Sequence, residues 1–176
     1  VWILANPPGR STTTVWRYDG ATFARADEGL PASVAIATLW VESPGRVWAI
    51  GGDAGGAHST DVYRSDAGRW ARVGPLPDGL VLQGKIGGAA GEVYAHGVGI
   101  LLSRDRALVR FDGDRLLRED APVARGTFDD GVASGHGALW FTGESLARRV
   151  GGGWRPVDVV TGDGAVGVRP ITRFAP

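Results

Sequence analysis

Apolar and aromatic residues along this chain fall into short runs of strand length, each bounded by Gly, Pro, Asp or Asn. Positions that alternate or cluster over four to eight residues predict strands, whereas a helix needs apolar positions three and four apart over ten or more. Only residues 100–111 are ambiguous, because they could form one helix. A long hairpin is preferred there, since the second half of the stretch matches a motif found in strand contexts elsewhere. The predicted fold class is therefore all-β.

The runs repeat. Gly45-Arg46-Val47-Trp48 recurs as Gly91-Glu92-Val93-Tyr94 and as Gly137-Ala138-Leu139-Trp140, each step 46 residues, and Val1-Trp2 lies one period before Val47. A second motif follows each copy: Val15-Trp16-Arg17-Tyr18-Asp19-Gly20, Val62-Tyr63-Arg64-Ser65-Asp66, Leu108-Val109-Arg110-Phe111-Asp112-Gly113, and a worn Leu146-Ala147-Arg148-Arg149-Val150-Gly151 that arrives eight residues early. A bulky residue and an arginine come next, as Phe23 and Arg25, Trp70 and Arg72, Leu116 and Arg118, and Trp154 and Arg155. Four in-phase copies of linked motifs identify an internal repeat, which sets the architecture before any single residue does.

Each unit reads as four strands. Strand b carries the Val-Trp motif, strand c the Arg-x-Asp-Gly motif and strand d the Trp-x-Arg segment. An inner strand a is expected at 35–42, 81–87, 127–133 and 160–168. Asp19-Gly20, Asp112-Gly113 and the glycines at 151–153 read as hairpin turns, because glycine supplies the positive φ such turns need. One four-stranded sheet cannot bury both faces, so the units must stack, and radial stacking gives a β-propeller of about four antiparallel blades. The repeats run approximately 1–34, 35–80, 81–126 and 127–159 within one domain of 1–176, with 160–176 as a closing strand. The chain starts at strand b and ends after a candidate strand a, so closure by pairing the N- and C-terminal strands is expected.

Several known propeller repeats share these residues. Val47-Trp48-Ala49-Ile50-Gly51-Gly52, followed by Tyr63, Trp70-Ala71-Arg72-Val73 and Pro75-Leu76-Pro77, resembles a kelch repeat, in which a double glycine ends strand b. Only this unit carries the full pattern. Trp16-Arg17-Tyr18-Asp19-Gly20 is similar to the short propeller repeats of bacterial sensor ectodomains, and Ser65-Asp66-Ala67-Gly68-Arg69-Trp70 is similar to an Asp-box hairpin but one residue short. Val-Trp followed by Arg and a later Trp also resembles tectonin-type lectin blades. These resemblances imply a shared architecture, and architecture does not carry function.

Composition narrows the partners. The formal net charge is zero, with 19 basic and 19 acidic residues balanced within each unit, which gives no support to a nucleic-acid partner. No cysteine is present, so disulfides and thiolate metal sites are excluded. No apolar run approaches the ~20 residues of a membrane helix. Eighteen of the 19 basic residues are arginine, which suggests GC-rich coding and a bacterial source. The chain opens on Val1 and contains no methionine, so a processed or trimmed chain is expected.

Candidate chemistry is sparse. Residues present in every unit are assigned to the scaffold: the row Trp2, Trp48, Tyr94 and Trp140 to packing between sheets, and Arg17, Arg64, Arg110 and Arg148 with Arg25, Arg72, Arg118 and Arg155 to exposed rims. Their expected ion-pair partners are acids such as Asp27, Glu119 and Asp158. Function is expected where units differ, on the b–c and d–a connections at one mouth of the channel. The ligand-binding candidates are Asp53 and His58 on one b–c connection, Arg104 and Arg106 on another, and Asp129 with Asp130 near the third inner strand. His58, His96 and His136 lack metal-ligand spacing and read as solvated loop residues. No nucleophile elbow, phosphate-binding glycine loop or zinc signature occurs, and no cofactor is implied.

The functional expectation is a non-catalytic recognition module, secreted, periplasmic or on a cell surface, that binds a protein or carbohydrate through loops at one mouth. Two alternatives remain open. One is a glycan-cleaving propeller using acids such as Asp129 and Asp130, and the other a structural segment of a larger assembly.

Overall fold

The computed structural model describes residues 1–5, 12–54, 61–77, 80–89, 91–99, 106–120, 131–135, 138–142 and 146–157. Among them there is no helix, and the strands form four antiparallel sheets in chain order. The first sheet has three strands, β1 (Trp2–Ala5), β2 (Thr14–Tyr18) and β3 (Phe23–Arg25). The second comprises β4 (Val34–Ser43), β5 (Arg46–Asp53), β6 (Asp61–Asp66) and β7 (Arg69–Arg72). The third comprises β8 (Leu80–Ala89), β9 (Glu92–Gly99), β10 (Arg106–Asp112) and β11 (Arg115–Asp120). The fourth comprises β12 (Gly131–Gly135), β13 (Ala138–Thr142), β14 (Leu146–Val150) and β15 (Gly153–Val157). The expected b, c and d strands occur in all four sheets, and among the described residues no strand a joins the first. Residues 160–176, expected to supply a closing strand, lie outside the described residues.

Local chemistry explains the hairpins. Val150 pairs with Gly153, so Gly151 and Gly152 form a two-residue turn at φ 57° and 78°, a conformation that matches the twist of the flanking strands. The β6–β7 turn uses Ala67 at φ 53° and Gly68 at φ 96°, which places an alanine in the left-handed region. Residues 100–111 form no helix where they are described: β9 ends at Gly99 and β10 pairs back along it from Arg106. Gly51 and Gly52, expected to end strand b, instead lie inside β5 opposite Ile36 and Ala35. A Cβ on Gly51 would stand 2.5 Å from the Ala35 carbonyl oxygen, so close approach of β4 is what requires the glycine.

Strand alternation directs one set of side chains toward the following sheet and the other toward the preceding one. Each interface therefore has its own core. Val15 of the first sheet packs with Val34, Ile36, Val47, Ala49, Tyr63 and Trp70 of the second. Trp48, Ile50 and Val62 of the second pack with Val93, Val109, Phe111 and others of the third. Tyr94 and Leu108 of the third meet Leu139, Phe141 and Ala147 of the fourth. Contacts between sheets concentrate on β4, β8 and β12, so the inner strands lie closest, as in the blades of a propeller. The outer edge of β7 is covered, because Trp70 donates its backbone N–H to the Glu28 carbonyl at 2.8 Å and its indole N–H to the Ala26 carbonyl at 2.7 Å. Such cover removes an open edge that could pair with another chain.

Candidate functional site

The repeated motifs meet across strands. Trp2 stands opposite Arg17, Trp48 opposite Arg64, Tyr94 opposite Arg110 and Trp140 opposite Arg148. The guanidinium lies over the indole in three of these pairs, at 6.0 Å for Arg17, 5.6 Å for Arg64 and 5.5 Å for Arg148, within reach of a cation–π attraction. The aromatic row then packs on the next sheet: Trp2 edge-on to Trp70 at 6.1 Å, Trp48 tilted on Phe111 at 5.0 Å and Tyr94 edge-on to Trp154 at 5.6 Å. The arginines are thus part of the inter-sheet packing as well as of the rim. Arg64 also reaches the next hairpin, where its Nη1 donates to the Gly113 carbonyl and to Asp114, both at 2.9 Å.

The later arginine row breaks at its fourth member. Arg25, Arg72 and Arg118 stand opposite Trp16, Tyr63 and Val109, whereas Arg155 stands opposite Arg148. Arg155 is therefore one residue out of phase and lies on the other face of its sheet. The expected acidic partners are present for Arg25, which pairs with Asp27 at 2.7 Å, and for Glu119, which takes Arg110 at 3.0 Å. Asp158 lies outside the described residues.

One charged cluster was not expected. Arg149 of β14, only 10% exposed, points back into the third sheet and pairs with Glu92 at 3.1 Å and Glu119 at 3.4 Å. Its guanidinium also covers the rings of Tyr94 at 5.2 Å and Trp154 at 5.6 Å. Burial, and then the neighbouring Glu119, push the Tyr94 hydroxyl well above the usual phenol range, so it stays protonated. The signal in the sequence was the second arginine of Leu146-Ala147-Arg148-Arg149, at the place where the other copies hold Tyr18, Ser65 and Phe111. His96, read as a solvated loop residue, is instead fully buried in β9, with its ring 6.1 Å from Phe141 of the fourth sheet. It occupies the alternation position of Ile50, which is why the chain buries it.

Of the six ligand-binding candidates, Asp53 is the one whose surroundings are described. It ends β5 with its side chain exposed, at the edge where the b–c connection begins. Arg106 opens β10 opposite Val98 at the same end of the third sheet. His58, Arg104, Asp129 and Asp130 lie outside the described residues. Next to Asp53 is a corner that the motifs did not reveal, in which Arg72 pairs with Asp61 at 2.5 Å and the Tyr63 hydroxyl lies 3.5 Å from the same carboxylate. Burial, followed by the charge of Asp61, raises the Tyr63 hydroxyl to about 12. It is a hydrogen-bond donor at neutral pH and not a base. Among the described residues, no group of three or more His, Cys, Asp or Glu side chains is placed to hold a metal ion.

No family model matches the chain, and no curated protein matches it. Among solved structures, "YCF48 bound to D1 peptide" aligns with TM-score 0.49 at 14% identity over 88% of this chain. "Aleuria aurantia lectin (AAL) N224Q mutant in complex with alpha-methyl-L-fucoside" aligns with TM-score 0.46 at 16% identity over 90% of it. The chain spans about half the length of either, 47% and 56% respectively. At these identities the ligand of this chain must be argued from its own residues.

Proposed function

We propose that this chain is a non-catalytic recognition module of propeller type, and that it takes a protein or glycan at the end of the sheets where the b–c connections leave. The observation that carries this reading is the corner of Asp53, Asp61, Tyr63 and Arg72. Tyr63 and Arg72 hold places of the repeated rows, and the two carboxylates are what set this corner apart. In the third sheet the places of Asp53 and Asp61 hold Gly99 and Ala107. The corner presents the exposed Asp53 carboxylate and an arginine already engaged by Asp61, while the protonated Tyr63 phenol is buried, which suits hydrogen bonding to hydroxyls or amides better than proton transfer.

The test is binding of the 176-residue chain to a glycan array and to a peptide array, with Asp53→Asn alongside. The reading expects a hit on one array that Asp53→Asn weakens about tenfold or more, the loss of roughly 1.4 kcal/mol. Hydrolysis of any polysaccharide on a broad panel, lost in Asp129→Asn or Asp130→Asn, would replace it with the glycan-cleaving reading.

A further inference from the structure

Like sheets can dock on the wrong neighbour, and misassembly of like units is a characteristic failure of repeat chains. The second, third and fourth sheets each turn one residue of strand c and a bulky one of strand d toward the sheet before them. These pairs are Ser65 with Trp70, Phe111 with Leu116, and Arg149 with Trp154. Arg149 is the charged member of the row, and the forward face of the third sheet answers it. Glu92 and Glu119 take the guanidinium at 3.1 and 3.4 Å, and the Tyr94 ring lies 5.2 Å from it. The Tyr94 hydroxyl lies 3.3 Å from the same Glu119 oxygen, and Arg110 pairs with the other at 3.0 Å.

We infer that this group is a key: the two glutamates admit Arg149, and so fix the third sheet as the one on which the fourth docks. Strand register shows what Arg149 would meet elsewhere. Tyr94 stands opposite Arg110 as Trp48 stands opposite Arg64, so Glu92 and Arg46, each two residues earlier, hold one place. Leu108 stands opposite Glu119, while its counterpart Val62 accepts the backbone N–H of Val73, so Glu119 and Val73 hold another. Docked on the second sheet, Arg149 would find an arginine in place of one glutamate and a buried valine in place of the other. The acids of that face, among the described residues, are already taken: Glu42 by the Trp48 indole N–H at 2.7 Å, and Asp66 by Arg64 at 2.7 Å and Arg46 at 3.2 Å. On the first and fourth sheets the place of Glu119 falls to Ala26 and Val157. Removing the partner of a buried charge is strongly destabilising, whereas the pair itself adds little over an apolar one. Such a pair therefore acts on choice more than on strength, through what wrong docking leaves unpaired. Phe111 makes no such demand and packs on Trp48 at 5.0 Å.

A mutant cycle on the 176-residue chain tests the key. Glu92→Gln with Glu119→Gln removes both counter-charges and leaves Arg149 buried, whereas Arg149→Met keeps a long side chain against Tyr94 and Trp154 without the charge. In urea melts the glutamine pair should lower the folding equilibrium constant about tenfold or more, and adding Arg149→Met to it should recover most of that loss. Both glutamates keep some water access, at 31% and 25% exposure, so the loss is nearer tenfold than the full penalty of a lone buried charge. Amide hydrogen exchange in the glutamine pair should rise about tenfold across β13 to β15 and stay within about twofold across β5 to β7. A glutamine pair that fails to fold while the triple variant folds is the same result, and failure of both overturns the inference. Arg149→Phe tests the choice itself, since it gives the fourth sheet the residue with which the third docks on Trp48. It should refold from urea into a mixture containing swapped oligomers, resolved by size-exclusion chromatography, where the parent chain gives one species. Additive effects in the cycle, exchange raised evenly over all four sheets, or an Arg149→Phe chain that refolds as the parent does would overturn the inference.

Discussion

Trp48→Ala removes the side chain on which the second interface is built. Its indole is 3% exposed, lies 5.0 Å from the Phe111 ring of the third sheet and donates its N–H to Glu42 at 2.7 Å. Truncating a buried tryptophan costs about 3–5 kcal/mol, because transfer free energy is lost and a cavity remains that a sheet interface cannot collapse. Glu42 retains 22% of its side-chain exposure, so water replaces the indole N–H and the broken bond adds at most about 1 kcal/mol. The expected total is about 4 kcal/mol. For a chain of this size that corresponds to a fall in Tm of about 8–16 °C. Trp48→Phe keeps a ring against Phe111 and should lose about half as much. Arg17→Ala, whose exposed guanidinium lies 6.0 Å over Trp2, should lose under about 1 kcal/mol. Urea melts followed by far-ultraviolet circular dichroism measure all three. If Trp48→Ala and Arg17→Ala fall within about 1 kcal/mol of each other, the aromatic row does not hold the sheets together and the assignment of faces fails.

Three further outcomes follow from single positions. Gly51→Ala should destabilise by about 1–3 kcal/mol in the same melts, since its Cβ would press on the Ala35 carbonyl at 2.5 Å, while Gly45→Ala, with open space around it, should be close to neutral. Ala67→Asn should stabilise by about 0.5–1 kcal/mol, because Asn tolerates the left-handed φ of 53° that alanine resists, and Asn-Gly suits this two-residue turn. Burial alone would raise the Asp66 carboxyl, but hydrogen bonds from Arg64 and Arg46 outweigh it and hold the group below its usual value. A lowered folded value means that ionised Asp66 adds stability above about pH 4 and that this is lost as the pH falls through the folded value. Asp66→Asn should therefore cost more at pH 7 than near pH 2, and equal costs at both would refute the coupling.

Strands and their order were legible along the chain because both signals are local. A 46-residue period and alternating apolar positions identify strands b, c and d wherever they recur, and β5, β9 and β13 lie on the three Gly-x-Val/Leu-Trp/Tyr motifs. The aromatic row was legible as packing for the same reason, since a residue kept in every unit answers to a neighbour present in every unit. Which face a particular side chain occupies was decided by tertiary structure. Arg155 read as the fourth member of the Arg25, Arg72 and Arg118 row, yet strand pairing sets it opposite Arg148, and one residue of slip moves a side chain to the other face of a sheet. His96 read as a loop residue among glycines, yet β9 continues through it and buries it at the place of Ile50. The cluster of Arg149, Glu92 and Glu119 joins residues up to 57 positions apart and exists only because the fourth sheet packs on the third. Periodicity specifies how each strand alternates, while the stacking of one sheet on the next decides what each face meets.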